Sequence, residues 1–232
     1  MAGEHPVNSW PECHRSSPKL VRVELIEELA ARAAIDPEGV LEKTAWLGLA
    51  IDSDARAGRF DRWGWSTVMD EHVGGAVVPE ALFAALHARA GIRAQWPAGN
   101  AGLLHVYGYL LSTVRTPYGF KRDRWLDGAL ACAYGLPAQE FVPWASPHTL
   151  LDRVTDAADE LRQRKPVRVA KIAGTSTSLS LGQRVQGGAC PLLYLVDGRL
   201  VTTFLVEFPE QILAEWDEEL PRLRWNAATP PR

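Results

Sequence analysis

The spacing of apolar residues changes along the chain, from a helical repeat in the first two-thirds to alternation in the last third. Alternating apolar and polar positions are typical of strands. Asp197-Gly198 lies between two such runs and predicts a tight hairpin, because both central positions of that turn need positive φ. The predicted strands are 167–173, 175–181, 191–196 and 199–206, and a closing helix is predicted over 209–220.

Helix boundaries in the first two-thirds are marked by capping residues, prolines and glycines. Asp36 followed by Pro37 is typical of a helix N-terminus, since the carboxylate can accept from unpaired backbone N–H groups and proline fits the first turn. The polar, glycine-containing segment 52–64 predicts a loop. The predicted helices are 18–34, 37–52, 80–90, 123–133 and 146–164.

Segment 104–114 fits two structures. With a period of two, His105, Tyr107 and Tyr109 share one face, and the β-branched and aromatic content slightly favours a strand that would join the sheet. A helix capped by Asn100 is the alternative. His105 and Tyr109 share a face in both structures, because residues four apart meet on a helix. Their proximity is therefore predicted whichever structure forms.

These elements define an α+β fold, in which a helix-rich N-terminal two-thirds packs on a C-terminal antiparallel β-meander with a closing helix. We expect a single α+β domain over 18–220, with a helical part at 18–165 and an antiparallel sheet part at 166–220. Segment 1–17 contains prolines without apolar periodicity and predicts a flexible N-terminal arm. A proline-rich tail is predicted over 221–232.

Charge and cysteine content narrow the partners and the compartment. A chain of 232 residues with a net charge of −3 has no general basic field, which argues against nucleic-acid binding. No apolar run approaches the roughly 20 residues that span a bilayer, and the first residues lack the pattern of a secretory signal. Three widely separated cysteines argue against a disulfide framework. We therefore expect a cytoplasmic protein without a membrane contact.

The candidate catalytic residues lie in the ambiguous segment. His105 has an ordinary pKa near neutrality and is a candidate for proton transfer. Tyr107 and Tyr109 are candidate donors to a substrate oxygen. The structural alternative is a half-buried face whose polar groups are satisfied within the protein.

A Pro-Tyr-Gly turn and three cations follow directly. Tyr118 lies in the turn, and Lys121, Arg122 and Arg124 come after it. A guanidinium can bind a carboxylate or a phosphate with two parallel hydrogen bonds, and a lysine supplies a point charge. This segment therefore predicts an anion site. An exposed basic turn neutralised by nearby aspartates is the alternative.

Two tryptophans in a charged, glycine-flanked stretch are candidates for the walls of a pocket. Trp63 and Trp65 could line a cleft, since polar clefts commonly contain aromatic side chains, or they could belong to the core. No spacing typical of a zinc site, a calcium loop or a phosphate-binding loop occurs. Neither a metal nor a cofactor is predicted.

Together these residues predict a cofactor-independent cytoplasmic enzyme that acts on a small carboxylate- or phosphate-bearing metabolite by proton transfer through a histidine. Hydrolase, lyase and isomerase chemistry all fit this hypothesis. Its catalytic residues are His105, Tyr107 and Tyr109, and its substrate-binding residues are Tyr118, Lys121, Arg122, Arg124, Trp63 and Trp65. The alternative is a non-catalytic protein that binds a small ligand or another protein through a Trp- and Arg-rich surface. A homo-oligomer or a protein partner is compatible with that alternative.

Overall fold

The computed structural model describes residues 18–172, 174–184 and 188–219. Helices lie mostly in the N-terminal part of these ranges, and a four-stranded antiparallel sheet followed by a helix forms the C-terminal part. This arrangement confirms the predicted α+β class. The arm predicted over 1–17 and the tail predicted over 221–232 lie outside the described residues.

The helices account for most of the N-terminal part. In chain order the α-helices are α1 (Pro18–Ala33), α2 (Pro37–Lys43), α3 (Ala45–Arg56), α4 (Glu80–Ala90), α5 (Asp123–Leu126), α6 (Ala129–Ala133), α7 (Leu150–Arg162) and α8 (Pro209–Glu219). A 3-10 turn lies at Arg59–Arg62 and a π-helix at Leu103–Gly108. Over the described ranges, no helix combines the length and the apolar character that crossing a bilayer requires.

The strands form one four-stranded sheet and three short pairs. They are β1 (Trp65–Thr67), β2 (Met69–Asp70), β3 (Gly75–Ala76), β4 (Ala98–Asn100), β5 (Arg115–Thr116), β6 (Gly119–Phe120), β7 (Arg168–Ile172), β8 (Thr175–Leu181), β9 (Cys190–Val196) and β10 (Arg199–Val206). The main sheet has the order β10-β9-β8-β7, and the pairs are β1-β4, β2-β3 and β5-β6. The predicted β-meander with a closing helix is therefore confirmed.

Strand β9 of the main sheet is buried on both faces. Tyr194 of β9 meets Trp216 of α8 on one face, with ring centroids 6.0 Å apart. Leu193 and Leu195 point the opposite way and join the core of the helical part. The sheet is thus the middle of three layers, between α8 and the N-terminal helices. Burial on both faces explains why β9 carries a run of apolar residues rather than an alternation.

The predicted loop over 52–64 is wrong in its first part, because α3 extends into it. The polar residues of this last turn are paired within the protein: Asp52 binds Arg89 at 2.6 Å, and Asp54 is fully buried. The helix predicted from residue 37 is interrupted between α2 and α3. Its predicted start is confirmed, since the Asp36 carboxylate caps α2.

The slight preference for a strand over 104–114 is wrong, and the helix alternative is confirmed. The Asn100 side chain accepts hydrogen bonds from the N–H groups of Gly102 and Leu103, at 3.0 and 3.2 Å, and so caps the helical turns that follow. Every residue from 101 to 112 is buried. A helix buried all round shows no polar face, so its sequence carries no helical period.

Turns and caps set the remaining boundaries. The hairpin turn is confirmed, with φ of 49° at Asp197 and 75° at Gly198. The helix predicted over 123–133 is divided into α5 and α6 at Gly128, where φ is 81°. The helix predicted from residue 146 begins later because the Thr149 hydroxyl provides its cap, at 3.1 Å from the Asp152 N–H.

Candidate functional site

His105 lies on the π-helix and is almost completely buried. Its ring stacks on Tyr109 with centroids 4.8 Å apart, as expected for residues four apart on a helix. The Nε2 atom is 3.0 Å from the Ser66 hydroxyl. Among the described residues, Nδ1 has no hydrogen-bond partner of normal geometry. One side of the imidazole is therefore fixed by the Ser66 hydroxyl.

Two cations lie beside the same pair of rings. The Lys121 ammonium is 2.7 Å from the Asp70 carboxylate and 5.5 Å from the centre of the Tyr109 ring. The Arg124 guanidinium lies 5.5 Å from the centre of that ring and donates to the Thr202 hydroxyl at 3.2 Å. The Lys121 side chain is 20% exposed, so this group reaches the protein surface. We call His105, Tyr109, Lys121, Arg124 and Asp70 the His105–Arg124 cluster.

Arg124 has no carboxylate partner among the described residues. Its guanidinium is surrounded by the rings of Tyr109, Trp125 and Phe204, with centroids 5.4 to 5.8 Å away. Rings favour a cation, but they do not neutralise its charge. Only one of its several N–H donors has a protein acceptor here.

Arg153 offers a useful contrast, since it is buried and also lacks a close ion pair within the described part of the chain. Its Nη2 and Nε donate to the carbonyl oxygens of Val142 and His148, at 3.0 and 3.2 Å, while its Nη1 is buried without a hydrogen-bond partner among the described residues. Glu140 and Asp152 act to raise its pKa, although burial lowers it overall. Within the part of the chain that the structure describes, Arg124 has neither carbonyl acceptors nor a nearby carboxylate with such an effect.

Burial and mutual charge set the protonation states of the cluster. Burial, followed by the positive charges of Arg124 and Lys121, lowers the pKa of His105 to about 3, so the imidazole is neutral at pH 7. Burial raises the pKa of Tyr109 to about 12. Burial acts to raise the pKa of Asp70, but the bond to Lys121, its charge and the N–H groups of Val73 and His72 together outweigh this, so the pKa is lowered and the carboxyl remains ionised. Two cations thus face one carboxylate.

Two backbone irregularities meet at His105. The π-helix that carries it is a rare element, which occurs frequently at functional sites. Facing it, β10 is irregular between Leu200 and Thr202, where its register with β9 shifts. The Val201 backbone at this bulge acts to raise the pKa of His105, against the larger effect of burial. Bulges re-aim side chains and are common beside active sites.

Tyr107 points away from the cluster. Its hydroxyl donates to Asp54, which also accepts from Thr149 at 2.6 Å and from Arg59 at 3.0 Å. Burial raises the pKa of Asp54, and these hydrogen bonds oppose the shift. Tyr107 and Tyr109 therefore belong to two separate networks, because residues two apart lie on different sides of a helix.

Arg122 and Trp63 are used in the interior. The Arg122 guanidinium donates to the Ser112 carbonyl at 2.7 Å and pairs with Glu27 at 3.4 Å. Trp63 is 1% exposed and donates to the Thr155 hydroxyl at 2.9 Å. Neither belongs to the His105–Arg124 cluster.

Trp65 and Tyr118 also lie outside the cluster. Trp65 is half-buried on β1. Tyr118 is 79% exposed at the turn between β5 and β6, with its ring 5.3 Å from that of His72. Of the predicted site residues, the structure thus brings together His105, Tyr109, Lys121 and Arg124.

Sequence reasoning missed Ser66, Asp70, Thr202 and Phe204 as neighbours of these residues. In the sequence, Asp70 stands out only as part of an acidic segment. Ser66, Thr202 and Phe204 have no local sequence feature that marks them as site residues. They reach the cluster from β1, β2 and β10, which are far from segment 104–124 in the chain.

A second buried histidine has a structural part. His87 Nδ1 donates to the Phe83 carbonyl at 2.8 Å, and its Nε2 accepts from the Asn100 N–H at 3.0 Å. This pair of bonds requires a neutral ring, and burial lowers the pKa of His87 accordingly. His87 therefore holds the residue that caps the turns carrying His105.

A separate cavity of about 190 Å³ lies where the ends of α6 and α7 meet the connection from β8 to β9. Tyr134, Arg164 and Arg184 are among its lining residues, and no residue of the His105–Arg124 cluster lines it. Within the described ranges, no group of three His, Cys, Asp or Glu side chains is arranged to hold a metal ion.

No protein-family model, curated protein or solved structure matches this chain.

Proposed function

We propose that this protein is a cytoplasmic enzyme that, without a resident cofactor, acts on a small carboxylate- or phosphate-bearing metabolite at the His105–Arg124 cluster. The observation that carries the proposal is the Arg124 cation, which has no carboxylate partner among the described residues and lies beside a neutral histidine. A guanidinium with unused donors can take a carboxylate or phosphate by two parallel hydrogen bonds.

Each member of the cluster has a part in this proposal. Arg124 and Lys121 bind the anionic group, and the Tyr109 hydroxyl donates to a substrate oxygen. His105 begins in its neutral form and accepts a proton from the substrate. A bound anion would offset the positive charges that disfavour imidazolium, and so would make His105 a stronger base when substrate is present. Elimination and isomerisation use such a step, and in hydrolysis the same base would take the proton from the attacking water.

The second candidate function is protein binding, and it is favoured by a different surface. Tyr118 is 79%, Met69 40% and Val73 37% exposed; Met69 lies on β2, Val73 in the β2-β3 turn and Tyr118 in the β5-β6 turn. A protein partner or a second copy of the chain would use these side chains as apolar anchors. In this alternative the exposed Tyr118 is the aromatic contact with the partner, because Trp63 is buried.

A thermal-shift experiment with small carboxylates and phosphates tests the proposal. A compound that binds at the cluster should raise the melting temperature of the wild type, and Arg124→Gln should lose this effect. A charge-assisted bond contributes about 1.5–3 kcal/mol, so affinity should fall about 10- to 150-fold.

Arg164→Gln is the matched control, because it makes the same change at the separate cavity. It should keep the effect of the ligand. An unchanged response in Arg124→Gln, or no response to any compound in the wild type, would refute the proposal. Loss of the response in Arg164→Gln alone would move the site to the cavity.

A further inference from the structure

We infer that Asp70 restricts this site to ligands with a single negative charge, that is, to monocarboxylates rather than phosphate monoesters. The inference rests on the proposed function and adds the substrate class. It makes Asp70 a residue that determines specificity and not a catalytic one.

The described cluster carries one uncompensated positive charge. Lys121 is held by Asp70 at 2.7 Å, with 20% and 6% of their side chains exposed. Arg124 has no such partner, and its charge is the one left over. His105 and Tyr109 are neutral at pH 7. One anionic charge on the ligand would complete the balance.

Neighbouring cations do not alter this balance. Arg122 lies on the Phe120 ring at 4.0 Å and is paired with Glu27 at 3.4 Å. Arg115 also lies at the Phe120 ring, at 5.8 Å. The charged groups that act on Lys121 are Arg124 and Asp70, and those that act on His105 are Arg124 and Lys121.

A doubly charged ligand would bring one more negative charge into the partly buried site than the cluster can balance. The Asp70 carboxylate would repel it, and electrostatic effects of this kind are stronger away from bulk water. The excess charge could be offset by a proton on His105, but that ring is buried and its protonation is disfavoured. A monocarboxylate avoids both costs.

Asp70 can be neutralised without removing the turn that it forms. Its Oδ1 accepts from the N–H groups of His72 and Val73, at 3.0 and 3.2 Å, between β2 and β3. An asparagine side chain keeps an oxygen for these two bonds. Asp70→Asn therefore removes the charge facing Lys121 and preserves the local hydrogen bonds.

Isothermal titration calorimetry with benzoate and phenyl phosphate at pH 8 tests the inference. The two probes share a ring, and the phosphate is a dianion at this pH because its second pKa is about 6. The wild type should bind benzoate at least about tenfold more tightly, equivalent to about 1.4 kcal/mol. In Asp70→Asn the ratio should move toward phenyl phosphate by about tenfold.

Glu71→Gln is the matched control. Glu71 follows Asp70 directly in the chain, its side chain is half-exposed, and the change removes one negative charge. It should leave the ratio unchanged, and an equal shift in this variant would overturn the part assigned to Asp70. Tighter binding of phenyl phosphate by the wild type would overturn the inference even if Asp70→Asn does not fold, while leaving the proposed function in place. Binding of neither probe, nor of acetate or inorganic phosphate, would overturn both.

Discussion

Arg122 and Arg153 are buried and Arg124 is partly buried, and the three differ in what surrounds the charge. Arg122 is paired with Glu27 and a carbonyl, and Arg153 is directed at several carbonyls. Arg124 contacts rings and a single hydroxyl. A cation removed from water without a matching anion is costly, so proteins seldom retain one without a use for it. This difference is why we assign Arg124, rather than Arg122, to the binding of an anion.

The neutral state of His105 predicts how stability depends on pH. Its pKa is about 3 in the folded protein, whereas an unfolded histidine has a pKa near 6.5. Below pH 6.5 the unfolded chain therefore binds a proton that the folded protein does not. The contribution of His105 to the free energy of unfolding is fully present above pH 6.5, and it falls by about 1.4 kcal/mol for each pH unit below this value.

Urea unfolding of wild type and His105→Gln between pH 7.5 and about 5 measures this effect. The wild type should lose about 1.4 kcal/mol per pH unit more than the variant over the acidic half of this range. His87 contributes in the same direction in both proteins, since its pKa is also lowered, and therefore cancels. Parallel pH dependences would contradict the assignment of a neutral, buried His105.

The π-helix is the element that positions the cluster, and its start is fixed from outside. Asn100 caps it, and the cap is held in turn by His87 of α4 and by the Phe60 carbonyl at 3.0 Å. The pairing of β1 with β4 places Asn100 opposite Trp65, one residue from the Ser66 that binds His105. The cap and the imidazole are therefore positioned by the same strand pair.

Loss of the Asn100 cap should lower the free energy of unfolding more than loss of an exposed cap does. Asn100→Ala leaves buried N–H groups without an acceptor, and we expect the free energy of unfolding to fall by about 1–3 kcal/mol. Asp36→Ala removes the cap of α2 and should cost about 1 kcal/mol. Urea titrations compare the two variants, and Asn100→Ala should also weaken ligand binding at the cluster. Equal costs and unchanged binding in Asn100→Ala would argue that the cap does not position the site.

The sequence predicted the helices and strands better where one of their faces is turned to solvent. Strands β8 and β10 were predicted with their observed bounds, because turn residues and alternation delimit them. The π-helix was not, because burial on all sides removes its period. Within the site, the contact of His105 with Tyr109 was predictable from their spacing alone. The contact of Asp70 with Lys121 was not predictable, because the two residues are far apart in the chain and meet only in the folded protein.

The whole molecule depends on α8 to cover the outer face of its sheet. Trp216 is 6% exposed and packs in a cluster with Leu179, Tyr194 and Val201. The strand that carries Val201 also carries Thr202 and Phe204, which both contact Arg124. The third layer therefore supports the strand that borders the site.

Removal of the Trp216 ring should destabilise the protein strongly. Large aromatic-to-alanine changes in a core cost about 3–5 kcal/mol, and we expect Trp216→Ala to fall in this range. Phe208→Ala, at the start of the same region, is the control because its ring is 66% exposed, and it should have a small effect. Thermal and urea unfolding measure both. A small effect of Trp216→Ala would show that α8 does not stabilise the sheet.

The most direct measurement observes the Arg124 guanidinium itself. In ¹⁵N NMR spectra, the Nε–Hε signal assigned through Arg124→Lys should shift and saturate during titration with benzoate. The signal of Arg122, which is already paired with Glu27, should remain in place. A saturable shift of Arg124 alone is the predicted result. An unchanged Arg124 signal, while the ligand binds elsewhere or not at all, would contradict the claim that this cation is the anion site.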